Sequence, residues 1–329
     1  MSRDDVLLHW LTQACGLPAQ PLLCASSDAS TRRYFRVNGA DGSRIVMDAP
    51  PASENVQAFV QVDQLLRAAG LHAPRIDAAD LELGFLLLED LGTRTYQTAL
   101  SDRPADPLYR AALAVLCRLQ QIDARGQVPE FDAAFMRREV ELLPVWYLDR
   151  HLGIPLDAAA RATWERCTTL LIDACLAQGR VLMHRDYHSR NLMDCADGPG
   201  MLDFQDAVWG PVSYDVASLL RDAYVEFDED QQLDWLARWW AEARRAGLPV
   251  AADFGTQYRD FEWIGLQRQL KILGLFARLH HRDGKSAYLA HLPRVLAQVQ
   301  KTCERYDELR PLSRLLAAAH GTLDRGLSF

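Results

Sequence analysis

His184-Arg185-Asp186-Tyr187-His188-Ser189-Arg190-Asn191 follows the apolar run Val181-Leu182-Met183, and Asp203-Phe204-Gln205-Asp206 begins twelve residues after Asn191. The first string contains a complete H-R-D-x-x-x-x-N, and the spacing to Asp203 is what one short hairpin needs. Phosphoryl transfer requires these groups. A carboxylate accepts or orients the proton of the attacking hydroxyl, a role this order gives to Asp186. An amide oxygen and a second carboxylate, Asn191 and Asp203, hold the Mg²⁺ that neutralises the phosphates.

Two plainer readings compete. A His-Arg-Asp triplet occurs by chance and is often only a satisfied polar cluster, but the spacing, the flanking apolar strands and the second Asp-Phe argue against coincidence. His184 and His188 stand at i and i+4, as zinc ligands do on a helix. Here no glutamate follows the first histidine, and the segment continues a strand, so zinc is set aside.

Working outward, Asp4 to Ala14 has helical spacing and stops near Gly16 and Pro18. Tyr34 to Val37 and Arg44 to Met47 predict a hairpin around Asn38-Gly39-Ala40-Asp41-Gly42. Ser53 is expected to cap a helix through Ala69, and two strands near Ile76 and Phe85 to Leu88 lead to Glu89-Asp90-Leu91-Gly92. Helices are expected over 107–122, 131–149 and 157–178, then from Tyr214 onward, the longest running from Trp263 to His281. The fold class is therefore α+β. A small β-rich lobe spans 1–91, a larger mainly helical lobe spans 92–329, and a cleft is expected at the connector.

Composition narrows the class. The chain has 329 residues, 49% hydrophobic and 24% charged, ordinary for a globular protein. Its net charge is 36 − 44 = −8, a poor balance for holding nucleic acid by its phosphates. Seven cysteines with no C-x-x-C pair read as reduced core residues. Neither a signal peptide nor a membrane span is visible, so a cytoplasmic location is expected. The only lysines are Lys271, Lys285 and Lys301.

The motifs resemble those of the aminoglycoside phosphotransferase and choline kinase-like small-molecule kinases, which share a bilobal protein-kinase-like fold. The resemblance gives His188 the extra histidine of that family's catalytic loop, and Gly210-Pro211-Val212-Ser213-Tyr214-Asp215-Val216-Ala217 matches its G-P-x-x-Y-D-x-A. Gln205 stands where a protein kinase has the glycine of D-F-G, and no A-P-E segment follows. In the N-terminal part, Ser27 to Val37 and Met47 to Pro51 look like a bacterial branch of anomeric kinases. That branch phosphorylates C1 of N-acetylmuramate and N-acetylglucosamine in peptidoglycan recycling. The resemblance implies ATP and Mg²⁺ as cofactors and a small amino sugar as partner; it implies nothing about oligomeric state.

One departure stands out. The strand Arg44 to Asp48 carries Met47 and Asp48 where the family has a phosphate-binding lysine, and Ser26 to Thr31 contains no glycine. Small residues Ser27, Ala29 and Ser30 would let backbone N–H groups approach phosphate. Arg32, Arg33, Arg36 and Arg44 are the candidates for the missing charge, at least two of them expected to be solvated strand residues. Glu54 or Asp63 would pair with one of them. The resemblance places an adenine-binding hinge at Leu86 to Gly92, with the Glu89 carbonyl and the Leu91 N–H toward the purine. The resemblance does not supply a substrate pocket; nearness in sequence to the base and the metal carboxylate makes His188, Arg190, Gln205, Asp206 and Trp209 the acceptor candidates. The alternatives are a kinase of the same fold acting on an aminoglycoside, choline, homoserine or a methylthio-sugar, or a silent nucleotide-binding pseudokinase.

Overall fold

The computed structural model describes residues 2–26 and 32–326. Helix α1 (Arg3–Gln13) starts at a capping box, in which Ser2 and Asp5 satisfy each other's backbone N–H groups. Its Leu7, Trp10 and Leu11 are buried against Phe35, Val37, Val46, Phe85 and Leu87. These last residues belong to a five-stranded antiparallel sheet of β1 (Leu23–Ser26), β2 (Arg33–Gly39), β3 (Gly42–Asp48), β4 (Ile76–Asp80) and β5 (Phe85–Glu89), in the order β1-β2-β3-β5-β4. The β2–β3 hairpin closes at Gly39 opposite Gly42, leaving Ala40 and Asp41 as its turn. Helix α2 (Val56–Ala68) packs Val56, Phe59, Val62 and Leu66 inward.

The cap of α2 differs from expectation. Ser53 is taken up by a turn, its N–H donating to Pro50 O at 3.0 Å, and Asn55 caps the helix by accepting from Ala58 N at 3.1 Å. The two prolines before it consume more chain in turning than the Ser53 reading allowed.

The chain then forms α3 (Tyr96–Ala99), α4 (Ala105–Gln120) and α5 (Ala133–Val140). The single helix expected over 131–149 is two, because a π-helical segment (Leu143–His151) follows α5 as a separate element. Pro144 marks the break: without an N–H it is tolerated in a first helical turn and not in a helix interior. Next come α6 (Ala158–Leu176), β6 (Arg180–Met183), β7 (Leu192–Cys195), β8 (Gly198–Met201), β9 (Val208–Pro211) and α7 (Tyr214–Leu220). The rest is helical: α8 (Glu229–Arg245), the 30-residue α9 (Phe254–Asp283), α10 (Leu292–Arg305) and α11 (Arg310–Gly326). Helix α9 is the central pillar, buried along most of its length. Gly274 lets it press on the π-helical segment, since a Cβ there would lie 2.2 Å from the Leu142 carbonyl carbon.

Contacts group into two compact units: the chain up to Ala112 with Arg190–Ala207, and Leu113–Ser189 with the chain from Val208 onward. The sheet and the β7–β8 hairpin lie in the first; β6, β9, α7 and α9 lie in the second. The seven cysteines are free thiols. Among the described residues no helix is long and apolar enough to cross a membrane.

Candidate active site

The loop after β6 is shaped by carboxylates on α7 and just beyond it. Asp215, fully buried in its first turn, accepts the backbone N–H groups of His184 at 2.7 Å and Arg185 at 2.9 Å. Asp222, two residues past the helix, accepts the N–H of Ser189 at 3.0 Å and its hydroxyl at 2.5 Å. One short helix thus clamps the loop on both sides of Asp186. Arg185 takes a left-handed φ of +74°, a strain that these bonds hold in place. Burial pushes the Asp215 carboxyl up to about 7, although its two N–H donors pull the other way.

A second layer comes from distant helices. Glu139 on α5 accepts Arg185 Nη2 at 2.7 Å, pairs with Lys271 Nζ at 3.1 Å and accepts Gln267 Nε2 at 3.1 Å. Burial works to raise the Glu139 carboxyl, but Lys271, Arg185 and Gln267 outweigh it and keep it below the usual glutamate range. Asp186 behaves likewise. Burial pushes it up, while Lys271, then His188, Arg185 and Arg268, hold it well below the usual carboxylate range. Asp186 is therefore ionised throughout the neutral pH range. Glu139→Gln should lower stability by about 3 kcal/mol, because buried Lys271 and Arg185 would lose the carboxylate that contacts both. Urea unfolding checks this, and a stability equal to wild type would discount the network.

The other motif residues belong to the first unit. Met201 N donates to His72 O at 2.9 Å, the Phe204 ring meets Phe59 in a tilted contact at 4.7 Å, and Asp194 pairs with Arg94 and Arg103. This ties the β7–β8 hairpin to the rest of that unit. Leu202 N donates to Asn191 O at 2.9 Å, which brings the two ends of the hairpin together. Asn191 Nδ2 consequently lies 3.5 Å from Asp203 Oδ2, and Gln205 Nε2 donates to Asp203 Oδ1 at 2.7 Å. Asp203 has a φ of +61°, which turns it out of the strand direction. Among the described residues no three His, Cys, Asp or Glu side chains are grouped to hold a metal unaided. An amide oxygen and one carboxylate are hard donors that fit Mg²⁺, an ion usually bound through one or two protein oxygens with phosphates and water completing its shell.

The arginine candidates separate. Arg33 pairs with buried Asp48 and with Asp4, Arg36 with Asp90, and Arg44 with Asp77. Arg32 pairs with Glu54 at 3.0 Å and lies 4.0 Å from Asp203 Oδ1. Asp63 is buried in α2, and burial raises its carboxyl to about 6. The positions Ser27, Ala29 and Ser30 fall outside the described residues. At the expected hinge, Glu89 ends β5, and Asp90 accepts Arg36 Nε at 2.6 Å and Gly92 N at 2.9 Å. Leu91 packs where a Cβ on Gly200 would come within 2.7 Å.

Of the acceptor candidates, His188 is buried with its ring edge-on to Tyr224 at 5.4 Å, and Tyr224 in turn meets His291 at 5.0 Å. Gln205 is buried against Asp203 and Asp206; Asp206 and Arg190 are exposed. Trp209 carries the Arg125 guanidinium over its ring and gives its carbonyl to Phe131 N and Arg180, so it stands with those residues. Glu139, Gln267, Arg268, Lys271 and Tyr224 were not singled out from sequence. Lys271 did carry a signal, being a rare lysine between Leu270 and Ile272 in an apolar helical run.

Comparison with known proteins matches residues 24–249 to the model of the "Phosphotransferase enzyme family". The N-acetylmuramate/N-acetylglucosamine kinase of Pseudomonas putida is 48% identical over 92% of this chain and 89% of its own. The protein of the same name from Neisseria meningitidis serogroup B is 41% identical over the full length of both. A choline/ethanolamine kinase family protein from Mesorhizobium loti superposes with a TM-score of 0.64, at 15% identity, over 97% of this chain and 99% of that one.

Proposed function

The chain belongs to the phosphotransferase enzyme family, and from that premise we propose that it transfers the γ-phosphate of ATP to the anomeric C1 hydroxyl of N-acetylmuramate and N-acetylglucosamine. The observation that carries this reading is the 48% identity, over nearly the whole chain, to a relative bearing that substrate pair in its name. The clamped, ionised Asp186 supports the chemistry. An anomeric hydroxyl is more acidic than an ordinary sugar alcohol, so a carboxylate of modest basicity suffices to receive its proton.

In this mechanism Asp186 orients the C1 hydroxyl and takes its proton as the sugar oxygen bonds to the γ-phosphorus and the bond from that phosphorus to the bridging oxygen of ADP breaks. Asn191 and Asp203 would hold Mg²⁺, which when bound neutralises charge on the phosphates. Gln205 fixes the Asp203 carboxylate by its amide. The hinge residues Glu89 and Leu91 in the 1–91 region are assigned to the adenine, and His188, Arg190 and Asp206 in the 92–329 region are each candidates for contacting the sugar.

The test is to incubate the protein with ATP, Mg²⁺ and each sugar, then locate the phosphate by ³¹P–¹H correlation NMR. The expected product is a C1 phosphate from both amino sugars. Phosphate on C6, or turnover only with kanamycin or choline, would refute the reading.

A further inference from the structure

We propose that Arg32 supplies the nucleotide-phosphate charge that the lysine-free β3 lacks, with Glu54 as its positioning residue. The inference rests on the phosphotransferase reading and deepens it. Strand alternation separates the four arginines first. Phe35 and Val37 face the α1 core, so Arg33, in phase with Phe35, lies on that side with its guanidinium over the Phe35 ring and its charge spent on Asp48 and Asp4. Arg32 immediately precedes β2, and the alternation carried one residue back puts it in phase with Tyr34, the cross-strand partner of Met47, where a lysine was expected. Arg36 is on that face too, but its Nε and Nη2 are committed to Asp90 and the Gly92 carbonyl. Arg44 is held by Asp77.

Arg32 differs in its company. Its side chain is 11% exposed and its Nε sits 3.0 Å from Glu54 Oε2, a contact that orients the guanidinium from the α2 side. Nη1 is then 4.0 Å from Asp203 Oδ1 and Nη2 is 3.7 Å from Asp206 Oδ2. Those separations exceed a direct hydrogen bond. Both terminal nitrogens of the fork lie on the side of Asp203 and Asp206. A polyphosphate beside Asp203 would bring oxygens within reach of the same two nitrogens, and the planar fork suits them. The neighbouring Glu54 carboxylate keeps the side chain in place when no phosphate is present. Asp48, fully buried between Arg3 and Arg33, cannot be the expected lysine's substitute; it anchors α1 and β2 to β3.

Calorimetric binding of ADP, ATP and adenosine to the full chain tests this, with the Tm of each variant as a folding check. Arg32→Ala should raise the ADP and ATP Kd roughly 10- to 100-fold, the loss of one charge-assisted contact, and leave adenosine affinity unchanged. Arg32→Gln, which retains a donor for Glu54, should show the same loss, and Arg32→Lys should recover part of it. Arg33→Ala should bind ADP as wild type does. Glu54→Gln should weaken ADP less than Arg32→Ala and raise the KM for ATP with little change in kcat. ADP affinity within twofold of wild type in both Arg32→Ala and Arg32→Gln overturns the proposal. Wild-type protein that binds neither ADP nor ATP overturns the phosphotransferase reading itself, and is recognisable because no variant is needed to see it.

Discussion

Asp186→Asn is expected to lower kcat by about 10²–10⁴-fold, the usual consequence of removing a general base, with the fold intact. The amide keeps the shape of the carboxylate but cannot accept a proton. Its neighbours make the prediction sharper. Lys271, His188, Arg185 and Arg268 hold Asp186 ionised well below the usual carboxylate range. A carboxyl whose pKa is depressed is fully charged at every pH above its unfolded value, so its own titration contributes no limb between about pH 5 and 8. Replacing it should lower the rate at every pH in that window without moving the profile. A variant whose acid limb shifts, with kcat reduced less than tenfold, would mean that Asp186 positions the hydroxyl and some other group takes the proton.

How much of this was legible in the sequence depends on how local the cause is. The string from His184 to Asn191 and the pair Asp203-Phe204 could be matched to a family directly, because residue type and spacing are set within one hairpin. The β2–β3 hairpin and α1 were legible for the same reason, as alternation and capping act over a few residues. What shapes the loop was not. Asp215 and Asp222 reach it from about thirty residues away, and Glu139 and Lys271 from 47 and 85 residues away by number, distances that only tertiary packing closes. The arginines were ambiguous as a list but not as a pattern. Strand phase alone would have set Arg33 with Phe35 and Arg32 with Tyr34. The helix break at Pro144 carried its own signal in the residue, and the α2 cap turned on how much chain two prolines consume.

Asp203→Ala is expected to abolish measurable turnover, a loss of about 10³-fold or more, because a metal ion supplies several kcal/mol of transition-state charge stabilisation. The side chain is 38% exposed and flanked by exposed Asp206, so its removal empties no core. Unfolding is therefore expected to stay within about 0.5 kcal/mol of wild type, less any cost of alanine at the left-handed φ of +61°. Asp203→Asn separates the two effects, since asparagine tolerates that conformation and retains the shape that Gln205 contacts, yet lacks the charge. Both variants should lose the Mg²⁺-dependent part of ADP affinity while metal-free ADP binding persists through Arg32 and the hinge. If Asp203→Asn retains wild-type kcat at saturating Mg²⁺, or if wild-type turnover survives in EDTA, the metal is not held here. A loss in Asp203→Ala without one in Asp203→Asn would place the effect in the backbone instead of the ion.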